Sequence, residues 1–325
     1  MRQENLRASA RSGLNLALLL LVIAALLSAC AADPGNERAD AAGGAESAAP
    51  AASPDSPAQK QQGTEEEPAF PRIVATTVAI TEILDLLEVD LVGVPTSIKQ
   101  LPPRYDGVDK VGSPMSPDME LVRMLKPDEV LSVTTLEYDL RPKYEKAGIK
   151  ADFLDLTSLE HMNETILELG RRYGREEQAE RIAQQYREKM AEMQAVIAGK
   201  PAPTVLILMG IPGSYLVATE YSYIGDLVKS LGGINVVQGE QVEYVESNTE
   251  HLQQANPDVI LRAAHGLPDE VVKMFDEEFR TNDIWKHFNA VKTGRVYDLE
   301  EAKFGMIGNK AVSAALDDLI GMLYE

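Results

Sequence analysis

The chain has 325 residues, 45% of them hydrophobic and 25% charged, which is typical of a globular protein with one or two cores. Its 51 acidic and 31 basic side chains give a formal net charge of −20. This charge argues against nucleic acid as the main partner, because phosphate binding needs clustered Lys and Arg. The single cysteine, Cys30, excludes an intrachain disulfide and a thiolate cluster for zinc or iron–sulfur.

The amino terminus has the pattern of an export signal. Three arginines precede an apolar run over residues 16–27, which is too short for a typical membrane-spanning helix. The run leads into the sequence LSAC, which ends at Cys30 and resembles the lipobox of bacterial lipoproteins. The alternative is an ordinary secretory signal with a chance cysteine. We expect a lipoprotein signal peptide over 1–29 and a lipid on Cys30 that holds the protein at the extracellular face of the cell membrane.

The next segment has the composition of a disordered tether. Residues 31–70 are rich in Ala, Gly, Pro, Ser and Glu, and contain no aromatic residue before Phe70. Eight acidic and two basic side chains give this segment a net charge of −6. We therefore expect a lipid-anchored tether over 30–70 that stays extended and does not pack onto the acidic body.

From residue 71 onward, short β-branched runs alternate with amphipathic stretches. This alternation predicts a mostly parallel sheet covered by helices, in each of two Rossmann-like α/β lobes. In the first lobe, 71–174, we predict strands at 72–77, 91–96, 130–135 and 150–156, and helices at 79–87, 119–125, 138–147 and 159–173. In the second lobe, 201–325, we predict strands at 204–211, 215–218, 259–262 and 295–298, and helices at 224–231, 270–279, around Trp285 and at 310–324.

One long helix is predicted between the lobes. Over 175–197, apolar residues recur every three or four positions, and Gly199 with Pro201 ends the pattern. At 1.5 Å per residue such a helix spans about 35 Å, enough to cross from one lobe to the other. We interpret 175–200 as a bridging helix, with a surface helix inside one domain as the alternative.

Two half-motifs repeat the same local pattern. In the first half, six residues separate Glu120 from the pair Pro127-Asp128, which leads into a strand. In the second half, six residues likewise separate Glu250 from Pro257-Asp258 and the strand that follows. The repeat indicates two similar lobes, although a chance recurrence of a common helix–strand junction stays open.

His265 is the histidine whose position indicates a ligand site. It follows the strand 259–262 directly, and loops at the carboxyl ends of strands are where open α/β sheets bind ligands. Gly266 permits close approach of a flat ligand. The other histidines, at 161, 251 and 287, fit structural or surface roles, and Met115 by pattern alone is a core gap filler.

Six longer segments resemble one family. They are VATTVAITEILDLL (74–87), GVPTS (93–97), GSPMSPDME (112–120), VLSVTTLEYDL (130–140), MGIPGSYLVATEYSYIGDLVK (209–229) and GRVYDL (294–299). Together with the lipobox and tether, they resemble the haem-receptor lipoproteins of the iron-regulated surface determinant importer of Gram-positive bacteria. The resemblance covers the body from about residue 72 and implies a class III substrate-binding protein with two Rossmann-like lobes joined by one long helix.

The resemblance implies haem b as the ligand, with His265 and Met115 as axial ligands of its iron. Such a pair fills both axial positions, as in electron-carrying cytochromes. For the haem propionates we assign backbone contacts at the four residues Val78, Ala79, Ser97 and Ile98, with Lys99 as a charge partner. The reason is that unpaired N–H groups at a helix start bind anions.

The resemblance also implies the partners. They are an ABC haem permease with its ATPase, upstream cell-wall haem carriers, and the lipid bilayer through Cys30. Glu120 and Glu250 are then the residues that dock on permease arginines, although surface carboxylates are usually only solvated.

The competing functions are weaker. The sequence has no G-x-S-x-G elbow, P-loop or H-E-x-x-H motif, so we expect no enzyme. An iron–siderophore or cobalamin receptor of the same class is the main alternative, and a zinc receptor or an adhesin follows.

Overall fold

The computed structural model describes residues 70–247, 252 and 254–325. The strands are β1 Ile73–Ala75, β2 Gly93–Val94, β3 Asp109–Lys110, β4 Gly112–Ser113, β5 Ser116–Pro117, β6 Glu129–Val133, β7 Ala151–Leu154, β8 Thr204–Ile211, β9 Ser214–Ala218, β10 Ile234–Asn235, β11 Tyr244–Glu246, β12 Val259–Ala264 and β13 Val296–Leu299. The helices are α1 Val78–Leu86, α2 Met119–Met124, α3 Glu137–Lys146, α4 Leu159–Arg172, α5 Glu176–Ile197, α6 Tyr223–Ser230, α7 Pro268–Thr281, α8 Asn289–Lys292 and α9 Val312–Tyr324. The expected signal peptide, Cys30, the tether up to residue 69, Glu250 and His251 lie outside the described residues.

The first sheet is fully parallel, as the alternation of strands and helices predicts. Its strand order is β3-β2-β1-β6-β7, with β1 at the centre and all three of its residues fully buried. Helical crossovers link parallel strands and cover the sheet, which is why its central strand β1 consists of apolar residues only. The strand β2 has two residues and is shorter than the predicted strand at 91–96. The strand β3 also has two residues, and the sequence did not predict it.

The second sheet is mixed. Its order is β11-β9-β8-β12-β13, and β10 pairs with the first residues of β8. The predicted strands at 204–211 and 215–218 form a hairpin, β8 and β9, through a two-residue turn in which Gly213 has φ +84°, a conformation that glycine adopts readily. A tight hairpin can join only antiparallel strands, so β9 opposes β8 while β12 and β13 run parallel to it.

Helix α5 contacts elements on both sides of its position in the chain. Near its start, Ala179 packs so closely on α4 that a Cβ added at Gly170 would lie 2.4 Å from the Ala179 Cβ. Towards its end, Lys189 forms an ion pair with Asp317 of α9, and the Gln194 side chain donates to the Ser230 carbonyl of α6 at 3.1 Å. The helix therefore packs against elements from both lobes.

The body begins at the last residue of the expected tether. Phe70 packs on Tyr173, with 6.1 Å between ring centroids, and the Arg175 guanidinium lies 5.9 Å from its ring. Within the described part of the chain, no helix has the length and apolarity needed to cross a membrane.

Candidate functional site

The segments that follow the carboxyl ends of the strands in the two sheets contact each other. Lys99, in the loop after β2, lies 3.7 Å from Glu301, which follows β13. Glu82 of α1, the helix after β1, lies 3.2 Å from Lys310. The Gly308 amide donates to the Leu156 carbonyl, just after β7, at 2.7 Å. Because ligands of open α/β sheets bind at the carboxyl ends of the strands, the region between these edges is the candidate site.

The start of α1 presents free backbone donors at this edge. Thr77 is its N-cap, and its hydroxyl accepts the Ile80 amide at 3.3 Å. The hydroxyl of Thr76 donates to the Leu131 carbonyl of β6 at 2.9 Å, which fixes the chain as it leaves β1. The amides of Val78 and Ala79 belong to the first helical turn and have no acceptor within the helix. They are therefore suited to bind an anionic group.

The loop after β2 adds a hydroxyl, a cation and an apolar side chain. The Thr96 amide donates to the Gly112 carbonyl at 2.8 Å, and the Lys99 amide donates to the Ser97 hydroxyl at 2.9 Å. The Ser97 hydroxyl keeps its own proton for a further acceptor. Ile98 is 89% exposed, so this loop offers an uncovered apolar surface beside its polar groups.

Met115 lies at the tip of a short hairpin. The strands β4 and β5 pair through Gly112 with Pro117 and Ser113 with Ser116, which leaves Pro114 and Met115 in the turn. Asp118 caps the following helix, since its carboxylate accepts from the Glu120 and Leu121 amides. Met115 is 64% exposed, so it does not fill the core and its thioether is accessible.

His265 directly follows β12, the strand between β8 and β13 in the second sheet. Its backbone amide donates to the Gly210 carbonyl of β8 at 2.9 Å, which sets the start of the loop. Gly266 has φ +70° and Leu267 has φ +48°, the left-handed region that bulky residues rarely adopt. This turn directs the chain into α7 and leaves Leu267 51% exposed.

The imidazole is exposed at the loop surface, yet the protein around it removes enough water to shift its titration. Desolvation lowers the pKa of His265 below its ordinary value of 6.5, the Glu301 carboxylate opposes this shift, and the Lys99 ammonium adds to it. The neutral imidazole, which is the form that binds metals, is therefore favoured at neutral pH.

Glu301 is the site residue that the sequence reasoning missed. One of its oxygens accepts the Gly266 amide at 3.3 Å and is also the oxygen closest to Lys99. The side chain is only 13% exposed. The sequence did contain an indication of this role, because Glu301 is the second residue after the strand β13, much as His265 is the first residue after β12.

The structure brings together some of the predicted ligand residues and not others. Lys99 and the His265 loop share Glu301, as described above. Among the described residues, no hydrogen bond or ion pair links the Met115 hairpin to that loop. His161 pairs with Asp155 at 2.9 Å, and His287 is exposed in the turn after α7. In the described ranges, no three His, Cys, Asp or Glu side chains form a group that could hold a metal ion.

Glu120 is exposed on the first lobe, in the first turn of α2. It lines a surface hollow of about 360 Å³ together with the cations Arg123, Lys143 and Lys146. A second hollow, of about 370 Å³, lies beside α3 and includes Arg141 and Phe153. Neither hollow is lined by the strand-end loops of the candidate site. The candidate site is therefore identified by the chemistry of these loops and not by the shape of the surface.

Comparisons with known proteins identify the family. Residues 73–302 match the family model described as periplasmic binding protein. The chain is 48% identical over 255 residues to the "High-affinity heme uptake system protein IsdE" of Staphylococcus aureus strain bovine RF122 / ET3-1, covering 78% of this chain and 87% of that protein.

Two solved structures agree with this result. An ABC transporter substrate-binding protein from Listeria monocytogenes EGD-e is 58% identical with a TM-score of 0.75, covering 78% of this chain and 98% of the other. S. aureus IsdE complexed with heme is 48% identical with a TM-score of 0.75, covering 78% and 99%. The chain therefore belongs to the periplasmic binding protein family, and its two α/β lobes with one long connecting helix have the fold of the IsdE type.

Proposed function

We propose that this protein binds haem between the facing sheet edges and delivers it to the permease of an ABC importer. The observation that carries the proposal is the 48% identity to IsdE over 255 residues. The family match over residues 73–302 includes the strand-end loops of the site. The chemistry of these loops agrees with it. They combine one imidazole, one thioether, exposed apolar side chains and anion-binding amides, which are the groups that a flat, iron-containing, dianionic porphyrin requires.

In this proposal, His265 and Met115 are the axial ligands of the haem iron. His265 belongs to the second lobe and Met115 to the first, so bound haem would lie between them and link the lobes. Both side chains are exposed at the ends of their loops, and partial desolvation by the surrounding protein lowers the pKa of His265 and favours its neutral form. Filling both axial positions leaves none open for oxygen, which suits a carrier that moves haem without reacting with it.

The propionates are assigned to the edge of the first lobe. The free first-turn amides of Val78 and Ala79 and the loop Ser97–Lys99 lie at the carboxyl ends of the adjacent strands β1 and β2. Ile98 and Leu267 offer apolar surface to the porphyrin from opposite lobes.

Delivery is assigned to the two half-motif glutamates. Glu120 is exposed and lies beside three cations, so a docking partner must present both an arginine for the carboxylate and acidic groups for the cations. Glu250 is assigned by the sequence repeat alone. Upstream haem carriers are the proposed donors, and the proposal includes no catalytic step.

The proposed organisation follows the sequence. Residues 1–29 are removed as a signal peptide, Cys30 carries the lipid that holds the protein at the extracellular face of the membrane, and 30–70 is the tether. The lobes are 71–174 and 201–325, joined by the helix in 175–200.

The decisive experiment is a titration of the purified body, residues 70–325, with haemin. We expect one-to-one binding and the absorption bands of low-spin, six-coordinate haem. A receptor for an iron–siderophore or cobalamin, the second candidate, would leave the haemin spectrum as it is in buffer and would respond instead to those ligands.

A further inference from the structure

The pair formed by Lys99 and Glu301 connects the two lobes at the proposed haem site. Lys99 lies in the loop after β2 and Glu301 after β13, and their charged atoms are 3.7 Å apart. The Lys99 side chain is 42% exposed and that of Glu301 is 13% exposed. A cation accessible from solvent is thus held by a carboxylate that the protein has partly buried.

The same carboxylate supports the loop that carries His265. The oxygen of Glu301 nearest to Lys99 also accepts the Gly266 amide at 3.3 Å. This carboxylate is therefore fixed from its own lobe, whereas the flexible Lys99 side chain can exchange partners. An arriving carboxylate would compete with Glu301 for Lys99.

We propose that the Lys99–Glu301 pair is an inter-lobe clasp that a haem propionate displaces, so that Glu301 sets the selectivity of the site for porphyrins with free carboxylates. The proposal rests on the proposed function, since it assumes that haem occupies this region. In the haem-free protein, Glu301 pairs with Lys99. In the haem-bound protein, the propionate pairs with the Lys99 ammonium, and Glu301 still accepts the Gly266 amide.

The clasp lowers haem affinity in a defined way. Breaking the pair costs free energy on binding, and the carboxylate of Glu301 then repels the propionate. Glu301→Gln removes both effects and keeps an oxygen that accepts the Gly266 amide. Because exposed ion pairs change equilibria only modestly, we expect haemin affinity to rise about two- to fivefold in this variant.

The test compares haemin with its dimethyl ester, which lacks the propionate charges, in the same buffer and co-solvent. The matched control is Glu300→Gln, which changes the net charge equally at the neighbouring residue, whose partner is Lys303 rather than Lys99. Glu301→Gln should bind haemin more tightly than Glu300→Gln and bind the ester equally well. Lys99→Ala should weaken the binding of haemin and leave the binding of the ester unchanged. In a protein that already carries Lys99→Ala, Glu301→Gln should raise haemin affinity less than it does in wild type.

The clasp is refuted if Glu301→Gln and Glu300→Gln bind haemin equally, or if the gain is the same for the ester. If Glu301→Gln does not fold, as judged by circular dichroism, Lys99→Ala decides, because equal losses for haemin and ester also refute the clasp. A wild-type protein that does not bind haemin at all would instead refute the proposed function, so the two failures are distinguishable.

Discussion

The assignment of His265 as an iron ligand predicts an effect on haem binding without an effect on the haem-free fold. The imidazole is exposed, and among the described residues none forms a hydrogen bond with it. The backbone amide, which holds the loop to β8, is unchanged by substitution. Truncation to Ala should therefore change the free energy of unfolding by no more than about 0.5 kcal/mol, as at other surface positions.

The expected temperatures follow from this value. For a chain of this size, 1 kcal/mol shifts the midpoint of thermal unfolding by about 2–4 °C, so the haem-free variant should melt within about 2 °C of wild type. Free haemin at 100 times its dissociation constant stabilises wild type by about 2.7 kcal/mol, which corresponds to a rise of about 5–10 °C. At the same haemin concentration, a tenfold loss of affinity in His265→Ala leaves about 1.4 kcal/mol of this stabilisation, and a hundredfold loss leaves about 0.4 kcal/mol.

The assay is thermal unfolding with and without haemin, together with the absorption spectrum. The matched control is His287→Ala, since His287 is also exposed and lies in the Asp283–His287 turn, away from the strand-end loops. We expect the control to keep the haemin-induced rise and the low-spin bands, and His265→Ala to lose both. If His265→Ala keeps the rise and the bands, the ligand assignment is wrong.

Three further predictions follow from the same geometry. Met115→Ala should weaken haemin binding less than His265→Ala does, because a thioether is the weaker donor to ferric iron; a larger loss in a titration would contradict this. Haemin binding should persist at pH 7 and weaken as the pH falls through the pKa of His265, which lies below 6.5, because protons compete with iron for the imidazole. The haem-free protein should also lose stability as the pH falls over that range. The reason is that His265 has its ordinary pKa in the unfolded chain, which therefore binds a proton at a higher pH than the folded protein does. Glu120→Lys with Glu250→Lys should leave the haemin spectrum unchanged and reduce haem uptake by cells, because like charges repel the permease arginines.

The control for the docking prediction is Glu176→Lys with Glu180→Lys, two exposed positions on α5. This pair changes the net charge by the same amount as the docking pair. Equal uptake by both double variants would remove the docking assignment and leave haem binding untouched.

Much of the fold was determined by the local sequence. The apolar run at β8 and its Pro-Gly turn define the hairpin with β9, and Thr77 and Ser158 define helix starts by accepting backbone amides. The helix over 176–197 agrees with its apolar period to within one residue. These features depend on neighbours within one turn or one hairpin, so residue types and their spacing are enough to predict them. The position of His265 at a strand end was predicted for the same reason.

The tertiary structure decided what no local pattern contains. The strands β3 and β10 have two residues each and exist because neighbouring strands offer them hydrogen-bonding partners. The exposure of Met115 depends on a hairpin too short to show alternation, so its sequence resembles that of an ordinary core methionine. Lys99 and Glu301 are about 200 residues apart in the chain, and they meet only because the carboxyl ends of both sheets contact each other. Contacts between distant residues depend on how the sheets pack, and periodicity within one segment carries no information about that packing.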